Sequence, residues 1–285
     1  MSAYSGLLSR TKILFYFLSR METRSRISFK EIINHLISPK CESIITKYVE
    51  LSKKTYKYDY YKVKGYDKLF QYPAKAPYHN FAQVIAEGMQ SNHWHHYEIS
   101  QTRVDKDAVI VDCGSAEGFF AFKYKDVAKK IYVIEPLPIF VDSLKEMFLD
   151  YESIEVLPYA LSSNHGTLYM ELNDSAIAST CSDSPTNMQN YITVKAVTID
   201  NLFAEKNIKI DYLKADLEGF EEEMIKGALK TIEMSRPKIA ITTYHTGQDY
   251  KKLIKLVTSV VPEYKYLVKG IEERVGNPVM LHMWI

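Results

Sequence analysis

The sequence predicts an α/β fold in which helices cover a mostly parallel β-sheet. From Ala108 onward, short runs rich in β-branched residues alternate with longer segments in which apolar residues recur every three to four positions. The first run passes directly into a turn that contains Gly114 and Gly118, and then into an apolar helical pattern. The last two runs are separated by the turn-forming residues 276–278, which favour a hairpin at the edge of the sheet.

The individual elements follow from the same patterns. Strands are predicted at 108–112, 131–135, 154–160, 212–215 and 239–243. Helices are predicted at 118–128, 139–150, 221–229 and 249–260. The closing hairpin is predicted at 264–269 and 279–285, and two further short strands at 167–171 and 192–197. A sheet built in this way binds ligands at the carboxyl ends of its strands.

Residues 1–107 are less regular and differ in charge from the rest of the chain. Helical periodicity is present at 11–19, 29–37, 41–53 and 81–89. Residues 1–80 carry 15 Lys and Arg against 6 Asp and Glu, whereas the remaining residues carry 21 against 29. We therefore expect one compact unit with two parts, a basic, Tyr-rich, mainly helical subdomain at 1–96 for substrate recognition or oligomer contact, and a larger domain at 97–285.

The composition excludes several classes of protein. With 46% hydrophobic and 25% charged residues, the chain is neither disordered nor fibrous. The apolar run at 13–18 is too short for a signal peptide or a membrane span, which predicts a cytoplasmic protein that is not integral to a membrane. Cys41, Cys113 and Cys181 lie far apart in the sequence, so neither a disulfide framework nor a thiolate zinc site is predicted.

The turn after the first strand has the features of a loop that binds a nucleoside-containing cofactor. Its glycines, Gly114 and Gly118, would let the backbone approach a ligand closely. The second strand ends on Glu135, and a carboxylate there suits both hydroxyls of a ribose. The spacing differs from the dinucleotide pattern G-x-G-x-x-G, and a structural cap is the alternative role for Asp112, which precedes the loop.

These motifs resemble those of the FkbM family of S-adenosylmethionine-dependent methyltransferases. The first strand with its glycine loop, and Val133-Ile-Glu-Pro-Leu-Pro, resemble the first two motifs of the family. The matches that follow in order are Ala160-Leu-Ser-Ser, Val197-Thr-Ile-Asp-Asn-Leu and Lys214-Ala-Asp-Leu-Glu-Gly-Phe-Glu. The last block is the most distinctive. The resemblance runs from Tyr97 to Ile285 and assigns nothing to residues 1–90.

The resemblance implies a fold, a cofactor and a reaction. The fold is the Rossmann-like class I methyltransferase fold, with a seven-stranded, mostly parallel sheet and an antiparallel last strand. The cofactor is S-adenosylmethionine, and the reaction is O-methylation of a sugar, a glycan or a small natural product. The residues expected at the cofactor are Asp112, Gly114, Ser115, Gly118, Glu135, Pro136 and Ala160. From their position at the entry to the domain, Tyr97 and Glu98 are expected to cover it.

Asp216, Glu218 and His245 are the candidate catalytic residues. Asp216 and Glu218 follow the fourth strand at alternate positions, which could direct both side chains to one site. His245 follows the fifth strand, and an imidazole that titrates near neutrality suits the removal of a proton from an alcohol. The alternatives are a structural His245 and a Glu218 that fixes the turn at Gly219. The acidic run 221–223 is assigned to stabilising a helix N-terminus.

The chain departs from the family pattern at two points. Many members have Ala-Asn where Ser115-Ala116 stands here, so an amide suited to ordering the methionine end of the cofactor is absent, and the Ser115 hydroxyl could take its place. Many members also have a glutamate after the fifth strand, where this chain reads Thr242-Thr-Tyr-His. This second departure weakens the assignment of His245.

The histidines of the segment 93–98, which reads His-Trp-His-His-Tyr-Glu, suggest a metal site as one alternative. They could bind a metal together with Asp216 or Glu218. The H-x-H-H spacing matches no established ligand pattern, however, so packing or surface roles are favoured and no metal is predicted.

The segment 48–78 contains eight tyrosines among 31 residues, interspersed with lysines. Exposed tyrosines could stack on sugar rings while lysines bind phosphate or carboxylate, which favours an anionic or lipid-linked glycan as the acceptor. RNA bases could stack in the same way, but without an RNA-binding motif nucleic acid is the least favoured partner. The plain alternative is that the tyrosines pack and the lysines are solvated.

Two other functions remain open at this point. A nicotinamide-dependent oxidoreductase would account for the glycine loop and Glu135, but not for the loop spacing or the antiparallel end of the sheet. A binding module that keeps the fold and the S-adenosylmethionine site without turnover is the other alternative.

Overall fold

The first part of the chain combines helices with a small antiparallel sheet. In the computed structural model the described residues are 3–171, 181–182, 191–245 and 247–285. The first elements are α1 (Ala3–Ser19), α2 (Met21–Arg26), α3 (Phe29–Ile37), α4 (Cys41–Ile45), β1 (Val49–Lys54), β2 (Tyr58–Val63), β3 (Phe70–Pro73) and α5 (Tyr78–Met89). Helix α3 begins at a capping box, in which Ser28 and Glu31 satisfy each other's backbone N–H groups.

The rest of the chain alternates strands with helices. The elements are β4 (Val109–Cys113), α6 (Phe119–Tyr124), β5 (Lys130–Ile134), α7 (Pro138–Met147), β6 (Ile154–Leu157), β7 (Ala160–Leu161), β8 (Gly166–Glu171), β9 (Cys181–Ser182), β10 (Tyr191–Val197), α8 (Ile199–Leu202), β11 (Tyr212–Ala215), α9 (Glu221–Lys226), α10 (Leu229–Ser235), β12 (Lys238–Thr242), α11 (Tyr250–Val260), β13 (Lys265–Lys269) and β14 (Met280–Trp284).

The central sheet confirms the predicted fold. Within the described residues it has seven strands in the order β13-β14-β12-β11-β4-β5-β6. The strands from β12 to β6 are parallel, and β14 is antiparallel to both of its neighbours. Ile239, Ala240 and Ile241 on β12 are all fully buried, as expected for a strand that is covered on both faces.

The prediction of a helix at 41–53 is wrong beyond Ile45. There the chain turns, and Val49 begins a strand that pairs with the Tyr-rich strand β2. Aromatic and β-branched residues at 58–63 favour a strand, and pairing with it overrides the local helical pattern. The predicted helices in the N-terminal part are present as α1, α3 and α5, which confirms a mainly helical region, and this part also contains a three-stranded sheet.

The prediction of one strand at 154–160 is also wrong. Pro158 has no N–H group to donate to a neighbouring strand, and β6 ends just before it. The chain resumes as β7, which leaves the central sheet and pairs with β10 in a second sheet of order β7-β10-β8-β9. The predicted strands at 167–171 and 192–197 belong to this second sheet.

The N-terminal sheet and the central domain share one apolar core. The fully buried Phe70 ring meets Phe119 edge-on at 5.3 Å and Phe122 at 5.2 Å between centroids. Tyr61 stacks on the fully buried Phe81 of α5 at 4.1 Å. Burying a large apolar side chain contributes about 1.5–3 kcal/mol. This core therefore holds α5 firmly beside the central sheet.

Part of the Tyr-rich segment serves packing. Tyr58, Tyr61 and Tyr72 are buried, whereas Tyr56 and Tyr78 are exposed. Packing therefore accounts for the three buried tyrosines, and the exposed rings remain available to a ligand. No helix in the described part of the chain has the length and apolar character needed to cross a membrane.

Candidate active site

A cavity opens where the carboxyl ends of the central strands meet. Ala215 of β11 lies opposite Cys113 of β4, so the residues that follow each strand reach the same edge of the sheet. The cavity has a volume of about 350 Å³. The predicted site residues in its wall are Gly114, Glu135, Pro136, Ala160, Asp216 and Glu218. Ser115, Tyr97 and Glu98 line an adjoining recess of about 80 Å³.

Gly114 is required for this edge to close. Its φ of 66° lies in the left-handed region, and its N–H donates to the Ile134 carbonyl at 2.9 Å. A Cβ atom at this position would lie 1.9 Å from the backbone oxygen of Asp216. Glycine therefore allows the loop after β4 to touch the segment after β11.

Asp112 and Gly118 do not line the cavity, in contrast to their predicted roles. Asp112 is fully buried, with its carboxylate 3.0 Å from the Lys214 ammonium and accepting from the Ser115 hydroxyl at 2.6 Å. Lys214 also donates to the Gly114 carbonyl at 2.7 Å. Gly118 caps α6 with a φ of 80°. Asp112 therefore contacts the loop from behind, and a role for either residue at the cofactor stays a prediction.

Glu135 lies at the end of β5 with its carboxylate held by the backbone. Its two oxygens accept from the N–H groups of Ala116 and Leu137, each at 2.9 Å. Burial raises the pKa of Glu135 to about 7, although both hydrogen bonds favour the ionised form. The carboxylate is thus fixed in direction and borders the cavity.

Glu117 was not predicted as a site residue, yet it borders both the cavity and the recess. It is 4% exposed, and its Oε1 has no hydrogen-bond partner. Burial raises the pKa of Glu117 to about 7. A buried acceptor without a partner is costly unless a ligand supplies the donor. The sequence feature that could have identified Glu117 as a site residue is its position inside the glycine loop.

The structure brings the predicted catalytic residues together. Asp216 Oδ1 lies 3.6 Å from His245 Nε2, and Glu218 Oε2 lies 3.3 Å from the same nitrogen. Tyr97 donates to Asp216 Oδ2 at 2.7 Å. Burial alone would raise the pKa of Asp216, but His245, His95 and other neighbours lower it. Asp216 therefore stays ionised.

His245 lies behind the two carboxylates and not in the cavity wall. Its Nδ1 is 2.9 Å from Oε1 of Glu221, which is fully buried. Burial alone would lower the pKa of His245, but the bond to Glu221 and the charges of Asp216 and Glu218 raise it to about 9. This differs from the expected titration near neutrality, because carboxylates surround the ring.

Glu221 has a larger role than stabilising a helix N-terminus. Its carboxylate accepts from the backbone N–H groups of Leu217 at 2.8 Å and Gly219 at 3.0 Å. Gly219 has a φ of 110° and Glu218 a φ of 51°, so the turn between them is sharp. Glu221 thus fixes the loop that carries Glu218 while it also orients His245.

Helix α5 and the segment after it add two residues that the sequence did not assign to the site. Glu87 of α5 is buried, and its carboxylate is 3.1 Å from His95 Nδ1. His95 Nε2 is 3.2 Å from the Tyr244 hydroxyl and 3.8 Å from Asp216 Oδ2. Burial alone would lower the pKa of His95, but Glu87 raises it above its ordinary value. One histidine of the segment 93–98 thus reaches the cavity.

Tyr97 and Glu98 connect this segment to the central domain. Besides donating to Asp216, Tyr97 accepts through its backbone oxygen from the Tyr212 hydroxyl. Glu98 accepts from the Tyr124 hydroxyl and, at 3.1 Å, from the Val104 N–H. Both residues line the recess, and their role as a cover for the cofactor stays a prediction.

Comparisons with known proteins agree with this architecture. The family model described as the Methyltransferase FkbM domain matches residues 112–268. A comparison of the sequence with functionally curated proteins gives no match.

Comparison with solved structures matches the chain to several methyltransferases. A methyltransferase FkbM from Methylobacillus flagellatus KT is 20% identical, with a TM-score of 0.51, and the match covers 72% of this chain and 52% of that one. This chain therefore spans about half the length of that protein. An rRNA methylase from Streptococcus thermophilus is 11% identical over 64% of this chain and 88% of its own, with a TM-score of 0.41. Aeropyrum pernix fibrillarin, with bound S-adenosyl-L-methionine, is 11% identical over 82% and 97%, with a TM-score of 0.42.

Proposed function

The chain belongs to the FkbM methyltransferase family, and from this premise we propose that it transfers a methyl group from S-adenosylmethionine to a hydroxyl of a sugar, a glycan or a small natural product. One observation carries the proposal. A single cavity joins the fixed carboxylate of Glu135 to the paired carboxylates of Asp216 and Glu218. A cofactor and an acceptor could therefore meet within it.

The residues at the Glu135 end fit this cofactor. Glu135 would hold the ribose hydroxyls, and Leu137 and Leu161 offer apolar walls for the adenine. The partnerless oxygen of Glu117 suits the ammonium of the methionine part, because a cation would supply the missing donor. When bound, the cofactor supplies an electrophilic methyl group on a positively charged sulfur.

The residues at the other end suit an alcohol acceptor. An alcohol becomes a better nucleophile as it loses its proton, so the acceptor hydroxyl needs a nearby group that accepts a hydrogen bond. Asp216 and Glu218 supply such oxygens in the cavity wall, and Tyr97 holds Asp216 in place. We assign acceptor orientation and proton removal to these carboxylates, with His245 as the charged group behind them. Fixed positioning of reactants can save about 7–11 kcal/mol of barrier.

The N-terminal part would recognise the acceptor. Gln83, Val84 and Glu87 of α5 line the cavity, and Glu87 pairs with His95, which lies 3.8 Å from Asp216, so residues 1–96 contribute to the cavity wall. The positive charge of residues 1–80 favours an anionic or lipid-linked acceptor through long-range attraction. The exposed rings of Tyr56 and Tyr78 are available for stacking on a sugar.

Calorimetric titration of the purified chain with S-adenosylmethionine, S-adenosylhomocysteine and NADH tests the cofactor. We expect the first two to bind and NADH not to bind. Binding of NADH alone would contradict the proposal and favour an oxidoreductase.

A second experiment tests the reaction. The protein is incubated with S-adenosylmethionine that carries a deuterated methyl group and with a panel of neutral sugars, nucleotide sugars and lipid-linked glycans, and products are detected by mass spectrometry. A deuterated methyl ether is the expected product. Cofactor binding without transfer to any acceptor would favour the non-catalytic binding module.

A further inference from the structure

Three side chains at the acceptor end of the cavity have the arrangement of a metal-binding group. Asp216, Glu218 and His245 each offer one ligand atom, and these atoms all lie within 4.8 Å of one another. They come from the ends of two neighbouring strands, β11 and β12, which the parallel pairing places side by side. The group leaves one side open, because Asp216 and Glu218 border the cavity.

The orientation of His245 points to a cation between these residues. The ring is 6% exposed, and its Nε2 has no hydrogen-bond partner. Its other nitrogen, Nδ1, faces Glu221 Oε1 at 2.9 Å, and a donor bond there directs Nε2 at Asp216 and Glu218, where a metal ion would take the place of the Nε2 proton. A histidine that binds a metal commonly donates its second ring N–H to a carboxylate in this way.

The charges around the group also favour a cation. Glu87, Asp216, Glu218 and Glu221 place four carboxylates around two histidines, His95 and His245. Among the described residues, the ion pairs of Asp216, Glu218 and Glu221 are with histidine alone. The cluster thus gathers more carboxylates than imidazoles, an arrangement that a divalent ion would balance.

We propose that Asp216, Glu218 and His245 bind a divalent first-row transition metal ion. The ligand set of two carboxylates and one imidazole suits Mn²⁺, Fe²⁺, Co²⁺ or Zn²⁺ better than Mg²⁺ or Ca²⁺, which prefer oxygen ligands alone. Glu221 is a positioning residue that fixes the ring of His245. The histidines of the segment 93–98 do not belong to the ligand set, although His95 lies beside it.

The use of the ion in the reaction rests on the proposed function. An ion held here would border the cavity, where an acceptor hydroxyl could bind as a further ligand. A bound cation lowers the pKa of a coordinated hydroxyl, and the proton would pass to the oxygen of Glu218 that does not hold the ion as the hydroxyl oxygen takes the methyl group. Asp216 would then orient the acceptor through the ion.

The test uses Mn²⁺ and the full chain without a cofactor. Electron paramagnetic resonance measures free and bound Mn²⁺ during a titration, and spin-echo modulation detects a nitrogen ligand. We expect one saturable site per chain with one imidazole nitrogen on the ion. Glu221→Gln should weaken Mn²⁺ binding by roughly 10- to 100-fold, and Glu218→Gln or His245→Gln by more than that. Glu222→Gln, whose carboxylate pairs with Lys226 at 2.9 Å on the same helix, is the matched control and should bind as the natural chain does.

The outcomes separate this inference from the proposed function. Loss of the nitrogen signal in His245→Gln, with unchanged thermal unfolding, would support the metal site. The absence of saturable Mn²⁺ binding, or equal affinities in Glu218→Gln and Glu222→Gln, would overturn it. Calorimetry with S-adenosylmethionine on the same samples tests cofactor binding independently. If Mn²⁺ binds and the cofactor does not, the metal site is supported and the proposed methyl transfer is contradicted.

Discussion

The two ends of the cavity satisfy their buried charges in different ways. At the Glu135 end, the Glu135 carboxylate accepts from two backbone N–H groups, and Asp112 is paired with Lys214 and Ser115. At the Asp216 end, carboxylates and histidines face one another, and His245 Nε2 lacks a hydrogen-bond partner. The first end satisfies its carboxylates mainly through backbone donors and Lys214, whereas the second gathers carboxylates around two histidines.

This difference indicates how each end works. Backbone donors cannot rotate away, so the Glu135 end can hold one ligand in one orientation with little reorganisation. Side chains at the Asp216 end can change partners and protonation state, which is what a site needs when an acceptor must bind, lose a proton and leave. Substitutions at the two ends should therefore affect different measured quantities.

The largest expected effect is on turnover, at the Asp216 end. Asp216→Asn keeps the shape of the side chain but removes its charge, and we expect turnover to fall by about 10²–10⁴-fold. Affinity for S-adenosylmethionine, measured by calorimetry, should change little. Asp105→Asn, an exposed partner of Lys238, is the control. A loss confined to cofactor binding would remove the distinction between the two ends.

The second largest expected effect is on folding stability, where the loop after β4 touches the segment after β11. Gly114→Ala places a Cβ 1.9 Å from the Asp216 carbonyl oxygen, and we expect a loss of about 3 kcal/mol in the free energy of unfolding. Gly65→Ala is the matched control, because Gly65 also has a positive φ but nothing lies within 4 Å of the added atom. For this control, denaturant unfolding should show a loss of about 1–2 kcal/mol in the free energy of unfolding. Equal losses would show that the loop after β4 can move away from β11.

At the Glu135 end the expected effect is on cofactor affinity. Glu135→Ala should weaken S-adenosylmethionine binding by about 10- to 100-fold, the equivalent of about 1.5–3 kcal/mol for a charged hydrogen bond. Calorimetric titration measures the change. Glu155→Ala on β6, where the glutamate pairs with Lys130 at 3.5 Å on the surface, should leave the affinity unchanged. Unchanged affinity in Glu135→Ala would remove this residue from the cofactor site.

The smallest expected effect is on the folding stability of a variant at Glu117. Burial raises the pKa of Glu117 from 4.5 to about 7 in the folded chain, so folding favours its protonated form. The stability that this provides is present below pH 4.5 and is lost as the pH rises through 7. Glu117→Gln avoids that loss, so it should raise the free energy of unfolding at pH 8 by roughly 1–3 kcal/mol and by less at pH 5.

Denaturant unfolding at both pH values checks this expectation, with the exposed Glu152→Gln as the control. Weaker cofactor binding should accompany the gain in stability if Glu117 binds the ammonium of the cofactor. A gain in the free energy of unfolding that is independent of pH would contradict the raised pKa of a buried Glu117 carboxyl group.

The sequence predicted the strands of the central sheet better than the N-terminal part. The β-branched run at 239–243 lies between two helical patterns and favours a buried strand, which it forms as β12. The helical pattern at 41–53 gave way to a strand because pairing with 58–63, a contact outside the local pattern, decided it. The break at Pro158 was visible in the sequence, but the move of β7 into a second sheet was not.

The sequence by itself determined the fold class and the edge of the sheet where the site lies, because alternating hydrophobicity and the motifs after each strand are local properties. Only the tertiary structure decided which side chains meet there. In the folded chain, Asp112 forms a buried ion pair with Lys214, and Glu221 contacts His245. Glu87 contacts His95, which lies beside Asp216. These contacts join residues far apart in the chain, and burial and neighbouring charge, which set their pKa values, exist only once the strands have packed.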